Sequence, residues 1–226
     1  MSTLTRLDPS HLPAIIALHH RVIADLPPGN AATETDQFFA DHLDACGQIF
    51  GAFDGNRLMA YCVLGLPRDG DPNFGTDHHL PPDLLGRVAH IDGVAVDRQW
   101  RGQGWQRKMV EYRIEMARKF GRTIALSTVA PTNFASLIST VSTGLAIHGL
   151  IGKFGGNRFL LRRDIGTDQD AKSPRAPDIA IWCASDDLAT CRKLLDDGFI
   201  GQFCQSLGRG TAPRIGWAPL NIAAYC

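Results

Sequence analysis

The chain has no excess of either charge: 23 lysines and arginines stand against 23 aspartates and glutamates in 226 residues. There is therefore no global field to draw in nucleic acid or an anionic membrane, and partners must be recognised locally. Long apolar runs are also missing, since none approaches the ~20 residues a membrane span requires. The opening MSTLTRLDPSH lacks the charged and apolar regions of a secretion signal. A soluble cytoplasmic protein with no membrane or nucleic-acid partner is expected. Cysteines at C-x-x-C spacing are absent as well. Cys46, Cys62, Cys183, Cys191, Cys204 and Cys226 are scattered and read as reduced, mostly buried apolar residues without metal or redox duties. The neighbouring His78 and His79 have no cysteine or carboxylate at ligand spacing, so they are expected in a surface loop and no metal is expected.

What the chain does have is a strand-to-turn-to-helix junction at VAVDRQWRGQGW, Val94–Trp105. The β-rich segment VAHIDGVAV breaks at a charged turn, passes Gly102 and Gly104, and opens into a helix-patterned stretch near Trp105. Glycines let a ligand approach the backbone, and the unpaired N–H groups of a first helical turn, with the helix dipole behind them, attract an anion. The junction is not a P-loop, which needs Gly-Lys-Ser/Thr. Nor is it a dinucleotide-binding turn, which needs a third glycine two residues beyond Gly104.

Around it the elements can be read in order. A short strand near Thr3–Leu7 precedes a helix whose apolar residues recur from Leu12 to Leu26, with Ser10 as the expected cap. A second helix is signalled by Thr33-x-x-Asp36 and stops at Gly47. QIFGAF and RLMAYCVLGL flank Asp54-Gly55-Asn56 as a hairpin. Pro67–Gly86 is rich in Pro, Gly and Asp and reads as a long loop, a candidate wall of a binding site. The strand Arg87–Val96 leads through the glycines to a helix with Trp105, Met109, Tyr112, Met116 and Phe120 on one stripe. A strand at Thr123–Val129, a helix opened by Asn133, and a last hairpin around Gly155-Gly156-Asn157 follow. Residues 166–178 form a polar linker, and 179–226 carry a short strand, a helix from Asp186 to Asp197 and GFIGQF.

The motif Gln99-x-x-Gly102-x-Gly104 after a Val-Ala-Val strand, set in this element order, resembles the pyrophosphate loop of the GCN5-related N-acetyltransferases (GNAT). The resemblance spans about residues 3–165. It implies an α/β fold with a mixed, mostly antiparallel central sheet flanked by helices. Residues 1–165 would be the acetyltransferase domain and 179–226 a small C-terminal α/β extension, read as a packing or homodimerisation appendage, with an acceptor-site lid as the alternative. It further implies acetyl-CoA as cosubstrate. Val94, Ala95 and Val96 would pair with the pantetheine arm, Arg101, Gly102, Gln103, Gly104, Trp105 and Gln106 would hold the diphosphate, and Asn133 would touch the pantetheine unless it is only a helix cap. The departure is Trp105, where the family usually has a small or aliphatic residue; its ring is expected in the core.

Transfer of acetyl to an amine needs a base, because a lysine-like amine with pKa ~10.4 arrives protonated. Strand alternation places His90 and Asp92 on the face of Val94 and Val96, and His90 falls where related histone acetyltransferases carry a glutamate base. Both are candidate bases, with a plain core or surface role as the alternative. The tyrosine that many members offer as general acid is replaced by Thr140. Two functions follow: direct acetyl transfer to a primary amine in a ternary complex, or a non-catalytic acyl-CoA binder that serves as sensor or assembly subunit.

Overall fold

A computed structural model describes residues 3–166 and 181–220. Its centre is one sheet of ten strands, in the order β1-β2-β3-β4-β5-β7-β6-β9-β10-β8. After β1 (Thr5–Arg6), the side chain of Asp8 caps a tight turn at Pro9–His11 through the Ser10 N–H, and α1 runs from Leu12 to Ala24. The cap is thus Asp8, not Ser10, because the turn before the helix takes up the residues between them. The α2 helix (Asp36–Asp44) is capped by Thr35, whose hydroxyl accepts the Phe38 N–H at 3.1 Å, so the expected Thr33 lies two residues too early. The β2 (Gly47–Asp54) and β3 (Arg57–Gly65) hairpin forms as the Asp54-Gly55-Asn56 signal implies, with Gly55 at φ +55°.

Helices cover both faces of the sheet, so β3 is buried from Leu58 to Gly65 instead of alternating. Leu58, Tyr61 and Val63 pack with Ile15, Leu18 and Phe39 of the first two helices. Met59, Cys62 and Leu64 face the opposite core, built on α5 (Trp105–Lys119) and α6 (Phe134–Val141). Trp105 packs in that core as expected, whereas Phe120, at the end of the anticipated stripe, is exposed and the fully buried Arg113 takes a place inside it.

The stretch 67–86 is not a featureless loop. It contains two short helices, α3 (Phe74–Asp77) and α4 (Pro82–Leu85), and Phe74 packs with Val88 and Leu126. The next strands are β4 (Val88–Val96), β5 (Ile124–Val129), β6 (Ala146–Lys153) and β7 (Gly156–Asp164). The C-terminal elements β8 (Ile181–Ala184), α7 (Leu188–Asp196), β9 (Phe199–Gln205) and β10 (Arg214–Pro219) do not build a sheet of their own. Strand β9 pairs with β6 at Ile147↔Gly201, so the C-terminal strands lengthen the main sheet and cover the β6 edge, which would otherwise expose unpaired amides. The free thiols of Cys183 and Cys191 meet there at 3.6 Å in the buried interior. The linker expected at 166–178 falls, from 167 onward, outside the described residues.

Candidate active site

Two strands that start as neighbours and then part create the site. Strand β4 runs parallel to β5 only at Val88–His90 against Ile124–Leu126. Just beyond, the Ser127 hydroxyl donates to the Ile91 carbonyl at 2.7 Å, and further along no ladder joins the two strands. A cleft of about 560 Å³ opens in the gap.

At one end of the cleft lies the glycine turn. Arg101, Gly102, Gln103 and Gly104 are exposed, and the two glycines take φ of +79° and +75°, a left-handed backbone that favours glycine. A Cβ at either position would meet nothing within 4 Å, so the turn is open toward solvent and the cleft. Directly behind it α5 begins at Trp105 with no side-chain cap, which leaves its first-turn N–H groups without an intrahelical acceptor. The Asp97 side chain anchors the strand end by accepting from Arg57 at 2.7 Å and from the Gln99 N–H at 3.3 Å.

Of the expected cosubstrate-binding residues, Val94, Val96, Arg101, Gly102, Gly104, Trp105, Gln106 and Asn133 line the cleft. Ala95 does not: its side chain is buried in the core on the α1 side, with Tyr61 as its partner on β3. Gln103 also lies outside the lining, on the exposed side of the turn. The Arg101 guanidinium is tied to the Val96 carbonyl at 3.1 Å and to Asp25 at 3.2 Å, so it pins the turn to the end of α1. The Asn133 carboxamide caps α6 through the Ser136 N–H at 3.2 Å and donates to the Asn30 carbonyl at 3.0 Å. The Thr132 hydroxyl reaches the Asn30 side chain at 2.6 Å, so the α1–α2 connection is strapped to the β5–α6 connection across the cleft.

The expected facing of His90 and Asp92 is corrected by a β-bulge. Cys62 pairs with Val94 and Leu64 with Ile91, so Val63 alone stands opposite Asp92 and Gly93. The extra residue resets the period of two. Ile91, Val94 and Val96 face the α5 core, whereas His90 lies on the other side against Phe74. The buried Arg113 sits behind the bulge, donating to the Val63 carbonyl at 3.1 Å and the Asp92 carbonyl at 2.6 Å.

His90 is also removed from the cleft. Its Nε2 accepts the Phe74 N–H at 3.0 Å, and the Phe74 ring stacks on it at 4.1 Å. That bond occupies the lone pair a base would use, and burial pushes its pKa down to about 3. The residue therefore holds the 67–86 segment in place and does not reach the cleft.

Asp92 does line the cleft, and it has company that sequence reading missed. Glu34, from the α1–α2 connection, lines the same region. Burial, and then the charge of Asp92, raise its carboxyl to about 7. Burial likewise raises Asp92, against the pull of His42 and Arg113. Two carboxyls that burial raises above their ordinary range, one of them raised further by the charge of the other, are an arrangement suited to taking a proton. Beside them, the Glu34 N–H donates to His19 Nε2 at 3.1 Å, which places the histidine's proton on Nδ1. Nδ1 then donates to the Tyr61 hydroxyl at 2.9 Å, leaving the tyrosine hydrogen free to donate elsewhere. Burial and the two carboxylates push the Tyr61 pKa well up, so it serves as a hydrogen-bond donor and not as a proton source. Thr140 lines the cleft and is buried. Glu34 carried no local signal, lying in the polar run AATETD, and only the cleft shows what it faces.

Solved structures share this architecture. The ribosomal-protein-S18-alanine N-acetyltransferase from Escherichia coli is 18% identical, with 76% of this chain and 98% of that one covered at a TM-score of 0.55. The protein yncA from Salmonella typhimurium, solved with its cofactor acetyl-CoA, is 17% identical over 75% of this chain and 96% of its own, at 0.56. A phosphinothricin acetyltransferase from Sinorhizobium meliloti, in complex with acetyl-CoA, is 13% identical over 73% and 89%, at 0.57. No curated protein matches by sequence. The profile of the Acetyltransferase (GNAT) family matches residues 16–137, more than half of the chain, from within α1 through the parted strands into α6. The chain belongs to the GNAT acetyltransferase family.

Proposed function

We propose that the protein is an acetyl-CoA-dependent N-acetyltransferase that moves acetyl directly to a primary amine within a ternary complex. The observation that carries this reading is the continuity of the cleft, from the open Gly102–Gly104 turn, between the parted strands, to Glu34 and Asp92. The amides of the turn and of the first turn of α5 would hold the diphosphate, and the backbone of Val94–Val96 would align the pantetheine. Acetyl-CoA would supply the thioester.

In this reading Glu34 and Asp92 replace His90 as the base. The pair takes the proton from the incoming ammonium, the neutral amine attacks the thioester carbon to form the C–N bond, the C–S bond breaks, and the proton then shed by the nitrogen goes to the departing thiolate. A thiol of pKa ~8.5 leaves without a strong acid, which is consistent with Thr140 at the usual tyrosine position. A backbone N–H near Val94 would meet the developing oxyanion.

Thr140 also favours the competing reading, an acyl-CoA binder without catalysis. Thiol release from acetyl-CoA over a library of amines separates the two, with calorimetry of acetyl-CoA binding alongside. Turnover that falls about 10²–10⁴-fold in the combined Glu34→Gln and Asp92→Asn variant, with acetyl-CoA binding retained, supports the transferase. Binding with no thiol release from any amine supports the binder. No binding at all refutes both.

A further inference from the structure

A second charge in the cleft bears on the acceptor. Arg158, on β7 next to the β6–β7 turn, lines the same cleft as Glu34 and Asp92 and is only 3% exposed. A buried cation is normally met by a carboxylate. Here the guanidinium reaches only main-chain oxygens, Asn157 O at 2.9 Å and Phe154 O at a long 3.5 Å. Among the described residues no carboxylate comes within ion-pairing distance of it. Most of its five N–H donors are thus free for a partner.

The turn is shaped around this group. Phe154 adopts φ +53° and Gly155 φ +73°, and a left-handed phenylalanine is a costly conformation that persists where the surroundings demand it. A Cβ at Gly156 would lie 3.3 Å from Nη1 of Arg158, so a side chain there would crowd the guanidinium. The Phe154 ring, 47% exposed, also lines the cleft, with the Arg158 guanidinium 6.0 Å from its centre. Lys153 is already paired with Asp77, and Arg113, the other buried guanidinium in the lining, is committed to the Met109, Val63 and Asp92 carbonyls, which leaves Arg158 as the available cation.

The cleft therefore holds a guanidinium without an anion and, separately, two carboxyls without a cation in ion-pairing range among the described residues. Resting on the transferase reading above, we propose that the acceptor is a small amino-carboxylate, its ammonium directed to Glu34 and Asp92 and its carboxylate received by the Arg158 fork. A planar carboxylate suits that fork, which binds it through two parallel N–H donors.

The test uses the whole chain, saturating acetyl-CoA, and the L-α-amino acids set against their α-amides, with thiol release as the readout. The expected result is a kcat/KM at least about tenfold higher for the better amino acids than for their amides. In Arg158→Gln that preference collapses while the KM for acetyl-CoA stays put, and Arg158→Lys restores part of it. Equal use of acids and amides by the unmodified protein overturns the inference and leaves the transferase reading standing. A preference that survives Arg158→Gln, or an acetyl-CoA KM that rises with it, overturns the inference too, because the guanidinium then serves another ligand. No thiol release from any amine overturns the transferase reading and this inference with it. The comparison of acids with amides needs no variant, so a misfolded Arg158→Gln protein does not remove the test.

Discussion

Replacing Glu34 with glutamine should make the protein slower and more stable at once. An ordinary glutamate ionises near 4.5, and in the cleft this carboxyl is held at about 7, chiefly by burial and then by Asp92. A raised carboxyl pKa means that the unfolded chain gives up its proton first. No difference exists below 4.5; the folded state loses ground as pH rises from 4.5 to 7, and above 7 the full cost is in place. At 1.36 kcal/mol per pH unit the interval corresponds to about 3 kcal/mol, and partial exposure reduces this to roughly 1–3 kcal/mol. Glu34→Gln removes that cost, so at pH 8 its urea midpoint should rise, while at pH 4.5 the two proteins should match.

Activity should move the other way. With Glu34 as the poised base, kcat/KM should climb through a limb near pH 7 and level off above it. The variant should lose about 10- to 100-fold, short of a full base deletion, because Asp92 remains and loses its repelling neighbour. The limb then belongs to Asp92 alone, which burial raises and whose charge already acts on Glu34, so it should move to lower pH. Initial rates from pH 5.5 to 9 and urea melts at two pH values supply both readouts. A variant with an unchanged pH limb and no gain in stability at pH 8 would show that Glu34 is neither held protonated near neutrality nor the base.

Gly104→Val forces a β-branched residue into φ +75°, which should cost roughly 1–2 kcal/mol and raise the KM for acetyl-CoA about tenfold in steady-state rates. An unchanged KM in the folded variant counts against the turn as the diphosphate site. His90→Ala should lower stability by about 2–4 kcal/mol, through the cavity and the orphaned Phe74 N–H, yet keep the activity limb near pH 7; loss of that limb would return His90 to the chemistry. The protein should also be acid-labile. Burial depresses His78 and His148 to about 4 and His90 to about 3, below the ordinary 6.5, so their contribution to stability is complete above 6.5 and is lost as pH falls. Three such histidines, offset by the protons held on Glu34 and Asp92, give a slope of roughly 1.5–3 kcal/mol per pH unit near pH 5, and flat denaturation midpoints between pH 7 and 5 would contradict it.

The parts of the molecule legible in the sequence are those fixed by neighbours in the chain. The Asp54-Gly55-Asn56 hairpin, the amphipathic α1, and the glycine turn into α5 depend on residues a few positions apart, and each stands within a few residues of where its pattern puts it. Caps were less secure, because Asp8 and Ser10, or Thr33 and Thr35, are equivalent capping chemistry. Only the local path of the backbone chooses between them. The edge pairing of β9 with β6 was not legible at all, since a strand pattern does not say which edge it will cover.

The bulge at Asp92–Gly93 shows why the catalytic side of the site resisted reading while the cosubstrate side did not. A diphosphate site made of backbone amides tolerates many side chains, so its signature is the spacing of glycines, which sequence displays. A proton-transfer site depends on which way side chains point, and one extra residue opposite Val63 reverses that for everything before it on β4. Gly93 was visible as the sole glycine inside VAHIDGVAV, and an isolated glycine within a strand pattern is itself a bulge signal. Counting alternation from Val94 only as far as Gly93, and treating His90 as out of phase, would have turned His90 away from the cleft. What still could not have been counted is Glu34, whose place opposite Asp92 depends on the α1–α2 connection being strapped across to Thr132 and Asn133, contacts that join residues about a hundred positions apart.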